Sequence, residues 1–145
     1  MSRLLSTRWS HVLDYENGLK QASLAGGVTV SYAYDALGRR IQPSTSDDSM
    51  KFVYDGQDVV RDLNDDGSMA TEYLNDPGID DKIRQTYGNG ALYFTTDHLG
   101  STRAFTNASG NVISNLSYDS FGNSTGSSLT RYTYTGREFD SDTGL

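Results

Sequence analysis

The sequence predicts an all-β protein: tandem β-hairpins of about 21 residues that build one curved antiparallel sheet. Three observations predict it. First, Asp recurs at positions 14, 35, 55, 76, 97, 119 and 140, at spacings of 21, 20, 21, 21, 22 and 21. Second, a Gly follows each Asp within four positions, at Gly18, Gly38, Gly56, Gly78, Gly100, Gly122 and Gly144. A fixed period of this kind is the signature of a repeat architecture. Third, apolar and aromatic residues alternate with polar ones ahead of the Asp, the period of a strand with one buried face.

The elements follow in order. Residues 1–27 form a partial repeat, and within 1–13 the residues Leu4, Leu5, Trp9 and Val12 fit either a short helix or an irregular strand. From residue 28 to 145 the repeats form a single hairpin array. Val28, Val30, Tyr32 and Tyr34 alternate up to Asp35; Met50, Phe52 and Tyr54 precede Asp55; Val112, Leu116 and Tyr118 precede Asp119. Asp then Gly is turn chemistry, because the Asp carboxylate bonds backbone two residues on and Gly tolerates positive φ. A second set of breaks lies between the Asp turns: Gly26-Gly27, Asp47-Asp48, Asp66-Gly67, Gly88-Asn89-Gly90, 107–110 and Gly126. Two turns per repeat leave strands of ordinary length. The Tyr and Phe stripes, with Leu116, Tyr132 and Tyr134 among them, read as a cross-strand ladder between hairpins. Exposed on a flat sheet, the same rings would stack on sugars, which is the alternative reading.

Composition narrows the function. The chain has 145 residues, enough for one domain, with a net charge of −7 and no Cys. An acidic balance is a poor match to a phosphate backbone, so nucleic acid is not an expected partner. Without Cys there is no disulfide, no thiolate zinc site and no cysteine nucleophile. No apolar run reaches the length of a membrane span, and the first ten residues lack the continuous apolar stretch of a secretion signal. The chain is therefore expected either to stay inside the cell or to be a piece of something longer.

Candidate chemistry gives way to turn chemistry at each position. Asp62-x-Asn64-x-Asp66-Gly67 resembles the start of a calcium loop, but the twelfth position is Tyr73, with Glu72 one short. Asp97, His98 and Ser101 suggest a hydrolase, yet adjacent turn residues point in different directions and a triad needs His between carboxylate and Ser. Asp97 makes the turn, and His98 caps it or packs on a neighbour. The pairs Asp80-Asp81 and Asp140/Asp142 sit in turn-like contexts with nothing to mark burial. No catalytic residue, metal or cofactor is expected.

Several strings resemble the Rhs or YD-repeat family. Tyr34-Asp35-Ala36-Leu37-Gly38-Arg39-Arg40 looks like its repeat, and Phe52-Val53-Tyr54-Asp55-Gly56-Gln57-Asp58-Val59-Val60 like an element of its core. Asp97-His98-Leu99-Gly100-Ser101-Thr102-Arg103 is close to its most recognisable string. Asn107-Ala108-Ser109-Gly110 and Tyr118-Asp119-Ser120-Phe121-Gly122 follow in the family's order. Thr135-Gly136-Arg137-Glu138-Phe139-Asp140, then Asp142-Thr143-Gly144-Leu145, looks like the end block of the Rhs-associated core. The resemblance implies a bacterial β-shell segment without activity of its own, exported or held at the cell surface within a larger polymorphic toxin, which encapsulates or displays another polypeptide. A glycan- or receptor-binding module is the alternative. The sequence stops before the family's self-cleavage segment, so no aspartate of that kind is carried over. Seven hairpins are too few to close such a shell. Pro43 and Pro77, in turn regions, do little to blunt its open edges, and the charges of Asp58, Arg61, Asp62 and Arg103 are expected to help; the edges are expected to pair with the rest of a larger polypeptide, with cargo, or with a second copy.

Overall fold

The structure, a computed structural model, describes residues 10–24, 27–78, 81–141 and 143. The readings made for residues 1–9, Gly26, Asp80, Asp142, Gly144 and Leu145 lie outside the described residues. The described chain is all-β, as its alternation dictates. The strands are β1 (Ser10–Leu13), β2 (Leu19–Ser23), β3 (Thr29–Tyr34), β4 (Arg40–Ser44), β5 (Met50–Asp55), β6 (Asp58–Asn64) and β7 (Met69–Asn75). They continue as β8 (Lys82–Tyr87), β9 (Gly90–Thr96), β10 (Thr102–Thr106), β11 (Val112–Asn115), β12 (Ser117–Tyr118) and β13 (Ser124–Thr125). Among the described residues one 3-10 turn, Tyr134–Gly136, comes after them.

Every sheet neighbour is a sequence neighbour. The four-stranded sheet runs β1-β2-β3-β4, the seven-stranded sheet β11-β10-β9-β8-β7-β6-β5, and β12-β13 form a ribbon. The single continuous sheet expected from the repeat is thus divided. One physical reason is Pro43, which lies inside β4 and not in a turn. Proline has no N–H to give, so it confines β4 to an edge, and only an isolated bridge, Ser44 to Ser49, follows it. By compactness the chain divides into Met1–Phe52 with Leu63–Ser68, and Val53–Asp62 with Met69–Leu145.

In the first unit Ala22, Val30 and Tyr32 are buried, with Ala22 directly opposite Val30 across β2 and β3. In the second, Leu92, Phe105 and Leu116 form a buried cluster flanked by Phe94 and Tyr118. Phe94 and Phe105 are cross-strand partners, and their rings meet edge-on at 5.3 Å, the preferred aromatic geometry.

Candidate functional site

The recurring Asp residues build a repeated turn. Asp97 Oδ1 accepts from the N–H of Leu99 at 2.9 Å and of Ser101 at 3.0 Å. The backbone closes the same loop, with Asp97 N donating to Ser101 O and Gly100 N to Asp97 O, each at 3.0 Å. Asp14, Asp35 and Asp119 repeat this pattern on Gly18, Arg39 and Asn123. The fourth position is left-handed each time, at Asn17, Gly38, Gly100 and Gly122, which is why glycine dominates there. Asn107 does the same work toward Ser109 and Asn111. The sequence reading missed this equivalence, although Asn-x-x-Gly is its visible signal. Asp55 and Asp76 stand at turns of other lengths: Gly56-Gln57 joins β5 to β6, and Asp76 N reaches Asp81 O at 2.9 Å.

These bonds set the charge of the turns. The Arg39 N–H, reinforced by the Arg39 guanidinium, holds Asp35 below the ordinary carboxylate range. The Asn123 amide does so for Asp119 and the Ser68 hydroxyl for Asp66. At Asp97 desolvation pushes upward, but the N–H groups of Leu99 and Ser101 outweigh it.

A second regular feature precedes the Asp. Tyr34 donates its hydroxyl to Leu19 O at 2.9 Å, fifteen residues back. Tyr118 donates to Thr102 O at 2.7 Å, sixteen residues back, and Asn75 Nδ2 to Val59 O at 3.2 Å, again sixteen back. At these three positions the residue before the periodic Asp stitches its hairpin to the previous one.

The largest buried polar assembly was not foreseen. Residues 127–139 leave the hairpin order and cross the sheet as a strap, itself a tight hairpin. Tyr132 bridges Glu138, and Thr133 N donates to Arg137 O at 3.0 Å. Thr135 at φ 53 and Gly136 at φ 72 make its bend. Tyr132 and Tyr134, expected in the strand ladder, therefore lie on the strap instead.

Arg131 reaches β6, where its two Nη atoms pair with the Asp62 carboxylate, Nη2 to Oδ1 at 2.8 Å. Nη1 also donates to Tyr73 OH at 3.1 Å and Nη2 to Tyr132 OH at 2.9 Å, while Nε lies 2.8 Å from Glu138 Oε1. Tyr73 OH donates to Asp62 Oδ2 at 2.7 Å. The Tyr73 and Tyr132 rings meet edge-on at 5.2 Å, and Lys82 Nζ sits 4.4 Å from the centre of the Tyr132 ring, a cation–π contact. Burial raises both tyrosine hydroxyls well above their ordinary range. Burial alone would lower Arg131, but its bond to Asp62 and the surrounding oxygens hold it raised, a permanent cation.

The expected sites are accounted for by these structures. Asp97 and Ser101 are engaged in the turn, and Ser101 Oγ accepts from Thr135 N at 2.9 Å; His98 is exposed. Asp62 is 2% exposed and ion-paired, Asn64 closes a turn onto Ser68, and Asp66 binds Ser68, so the calcium-like string is a strand followed by a hairpin turn. No group of three or more potential metal ligands occurs among the described residues. Asp58, Arg61, Asp62 and Arg103 do not blunt edges as expected, because β6 and β10 are inner strands; Arg61 instead pairs with Glu72 at 3.0 Å.

Comparison with known proteins agrees with this geometry. The family profile described as Teneurin YD-shell matches residues 11–145. The tRNA3(Ser)-specific nuclease WapA of Bacillus spizizenii is 26% identical over 155 residues, which cover 99% of this chain and 7% of that protein. The tRNA nuclease WapA of Bacillus subtilis is 25% identical over 154 residues, with 99% and 7% covered. The crystal structure of TcdB2-TccC3-Cdc42 superposes with a TM-score of 0.69 at 17% identity, covering 94% of this chain and 8% of that one. TcdB2-TccC3 without its hypervariable C-terminal region gives 0.67 at 16%, covering 91% and 8%. The chain spans less than a tenth of the length of each.

Proposed function

We propose that this chain, which belongs to the Teneurin YD-shell family, is a wall segment of a larger bacterial, exported Rhs-type toxin and encloses or displays another polypeptide. The observation that carries this reading is the use of the repeat's own polar residues. Asp35, Asp97 and Asp119 close turns and Tyr34 and Tyr118 stitch hairpins, so the repeat encodes a wall. The motif residues Arg103, Arg137, Glu138 and Asp140 have the same architectural role in this proposal: Arg137 and Glu138 shape the strap, and Asp140 Oδ1 accepts from Thr143 N at 3.2 Å. Nuclease activity, named for the WapA relatives, is not assigned to this segment. They are matched over 7% of their length, and its charge of −7 opposes a phosphate backbone.

The test uses the longer polypeptide that the reading requires. Protease is added to that protein with and without Gly100→Val in this segment. The polypeptide it encloses should resist digestion in the wild type and become sensitive in the variant. Equal sensitivity, or a reading frame confined to these 145 residues, overturns the proposal. Sugar-sensitive binding by this chain alone would transfer it to the glycan-recognition class.

A further inference from the structure

The buried polar residues of this protein are concentrated in one place. Asp62, Lys82, Gln85, Ser101, Thr102 and Thr133 are the buried polar or charged residues among those described, and all belong to the strap or to the surface beneath it. Gln85 Nε2 donates to Leu129 O at 2.8 Å. Thr102 donates twice, from Oγ1 to Tyr132 O at 2.9 Å and from N to Thr133 O at 3.0 Å. Ser101 accepts from Thr135 N, and Asp62 accepts from Arg131. The strap also brings rings: Tyr132 meets Tyr73 at 5.2 Å, and Tyr134 lies 5.4 Å from Tyr118, which flanks the apolar cluster of Leu92, Phe105 and Leu116.

A surface of this kind differs from a core. A core cut open exposes apolar area alone, whereas this one exposes, besides the Tyr73 and Tyr132 rings, many groups that water solvates readily. Each side keeps an opposite-charge pair of its own: Asp62 and Lys82 on the sheet, and Arg131 with Glu138 at 2.8 Å on the strap, where the exposed Arg137 is a further cation. Separation therefore leaves charges of both signs on either side. Docking is imperfect as well, because Gln85 Oε1 is buried with no hydrogen-bond partner among the described residues, which subtracts from its free energy. The strap hangs from Gly126-Ser127-Ser128, all exposed.

We infer that the polar face of β6, β7, β8 and β10 is a docking surface for an Arg-Tyr-Thr strand, and that the strap 127–139 occupies it as a latch that releases as a unit while the hairpin sheet stays folded. This inference does not depend on the shell reading, since it concerns only how one segment leaves another.

Hydrogen exchange on the full chain tests it. Thr102 and Thr135 are the reporters, because their N–H groups bond across the docking surface. In the wild type both amides should exchange at least tenfold faster than those of Leu92 and Phe105. Thr102 should follow the strap even though it belongs to β10. Arg131→Met should raise both rates at least tenfold more and leave the Leu92 amide unchanged. If Thr102, Thr135 and the amides of β9 exchange at a common rate in the wild type, the strap is part of one cooperative unit and the inference is wrong. The wild-type comparison decides the matter even if the variant does not fold.

Discussion

Arg131 and Asp62 lie 69 residues apart in the chain and meet as a two-pronged ion pair, with Nη2 and Oδ1 at 2.8 Å. Asp62 is 2% exposed, so Arg131, and not bulk water, is what faces its carboxylate. Removing one member leaves the other buried and uncompensated, which costs about 3–5 kcal/mol. Arg131→Met and Asp62→Leu should each weaken docking of the strap by that order, read from the exchange of the Thr102 and Thr135 amides. The double variant should lose much less than the sum, because no bare charge remains. Additive losses in a double-mutant cycle would separate the two residues energetically.

The Tyr–Asp stitch gives a smaller and more local effect. Tyr118→Phe removes the bond to Thr102 O at 2.7 Å and should cost about 0.5–1.5 kcal/mol. Tyr15→Phe is the control, since Tyr15 is 94% exposed, and its urea midpoint should match the wild type.

Three glycines separate backbone strain from crowding. Gly110, at φ 79, has nothing within 4 Å of where a Cβ would stand. Gly110→Ala should therefore cost only the left-handed penalty, about 1–2 kcal/mol. At Gly126 the added carbon would lie 2.2 Å from Asn115 O, a backbone atom that cannot swing aside, so Gly126→Ala should cost clearly more. Gly100, at φ 78, should lose roughly 1–3 kcal/mol on replacement by Val. Urea unfolding of the three variants should rank Gly110→Ala as the mildest.

Stability should fall on both sides of neutrality. Asp35, Asp66, Asp97 and Asp119 are held below the ordinary carboxylate range in the folded chain. Their contribution is complete above the unfolded value of about 4 and is lost as pH drops through the lower folded values. Tyr73 and Tyr132 are shifted the other way, raised by burial. Their contribution is present below about pH 10 and declines above it, where the unfolded tyrosines ionise first. Thermal melting across pH should show both limbs, and replacing the four aspartates by Asn should flatten the acid one.

Much of this fold is legible in the sequence because turn chemistry and strand alternation are local. The Asp97 turn needs only Asp97, Gly100 and the backbone between them, and β3 shows its buried face in Val30 and Tyr32. The strap is not local. Nothing within reach of Arg131 in the chain announces Asp62, and the string around Asp62 resembles a calcium loop more than half of an ion pair. The break shows only in the fold: Val59 and Asp62 are both buried though three residues apart, against the alternation that would otherwise place Asp62 outside. Pro43 misled for the related reason that proline suits a turn and an edge strand equally well.

Hairpins that serve as wall present strand edges meant for neighbours. Light scattering on a size-exclusion column over a hundredfold range of concentration tests it most directly. The mass should climb above 15.9 kDa as concentration rises, and fall back with Val12→Lys, which places a charge on the edge strand β1. A mass of 15.9 kDa at every concentration would contradict it and make the chain a self-sufficient domain.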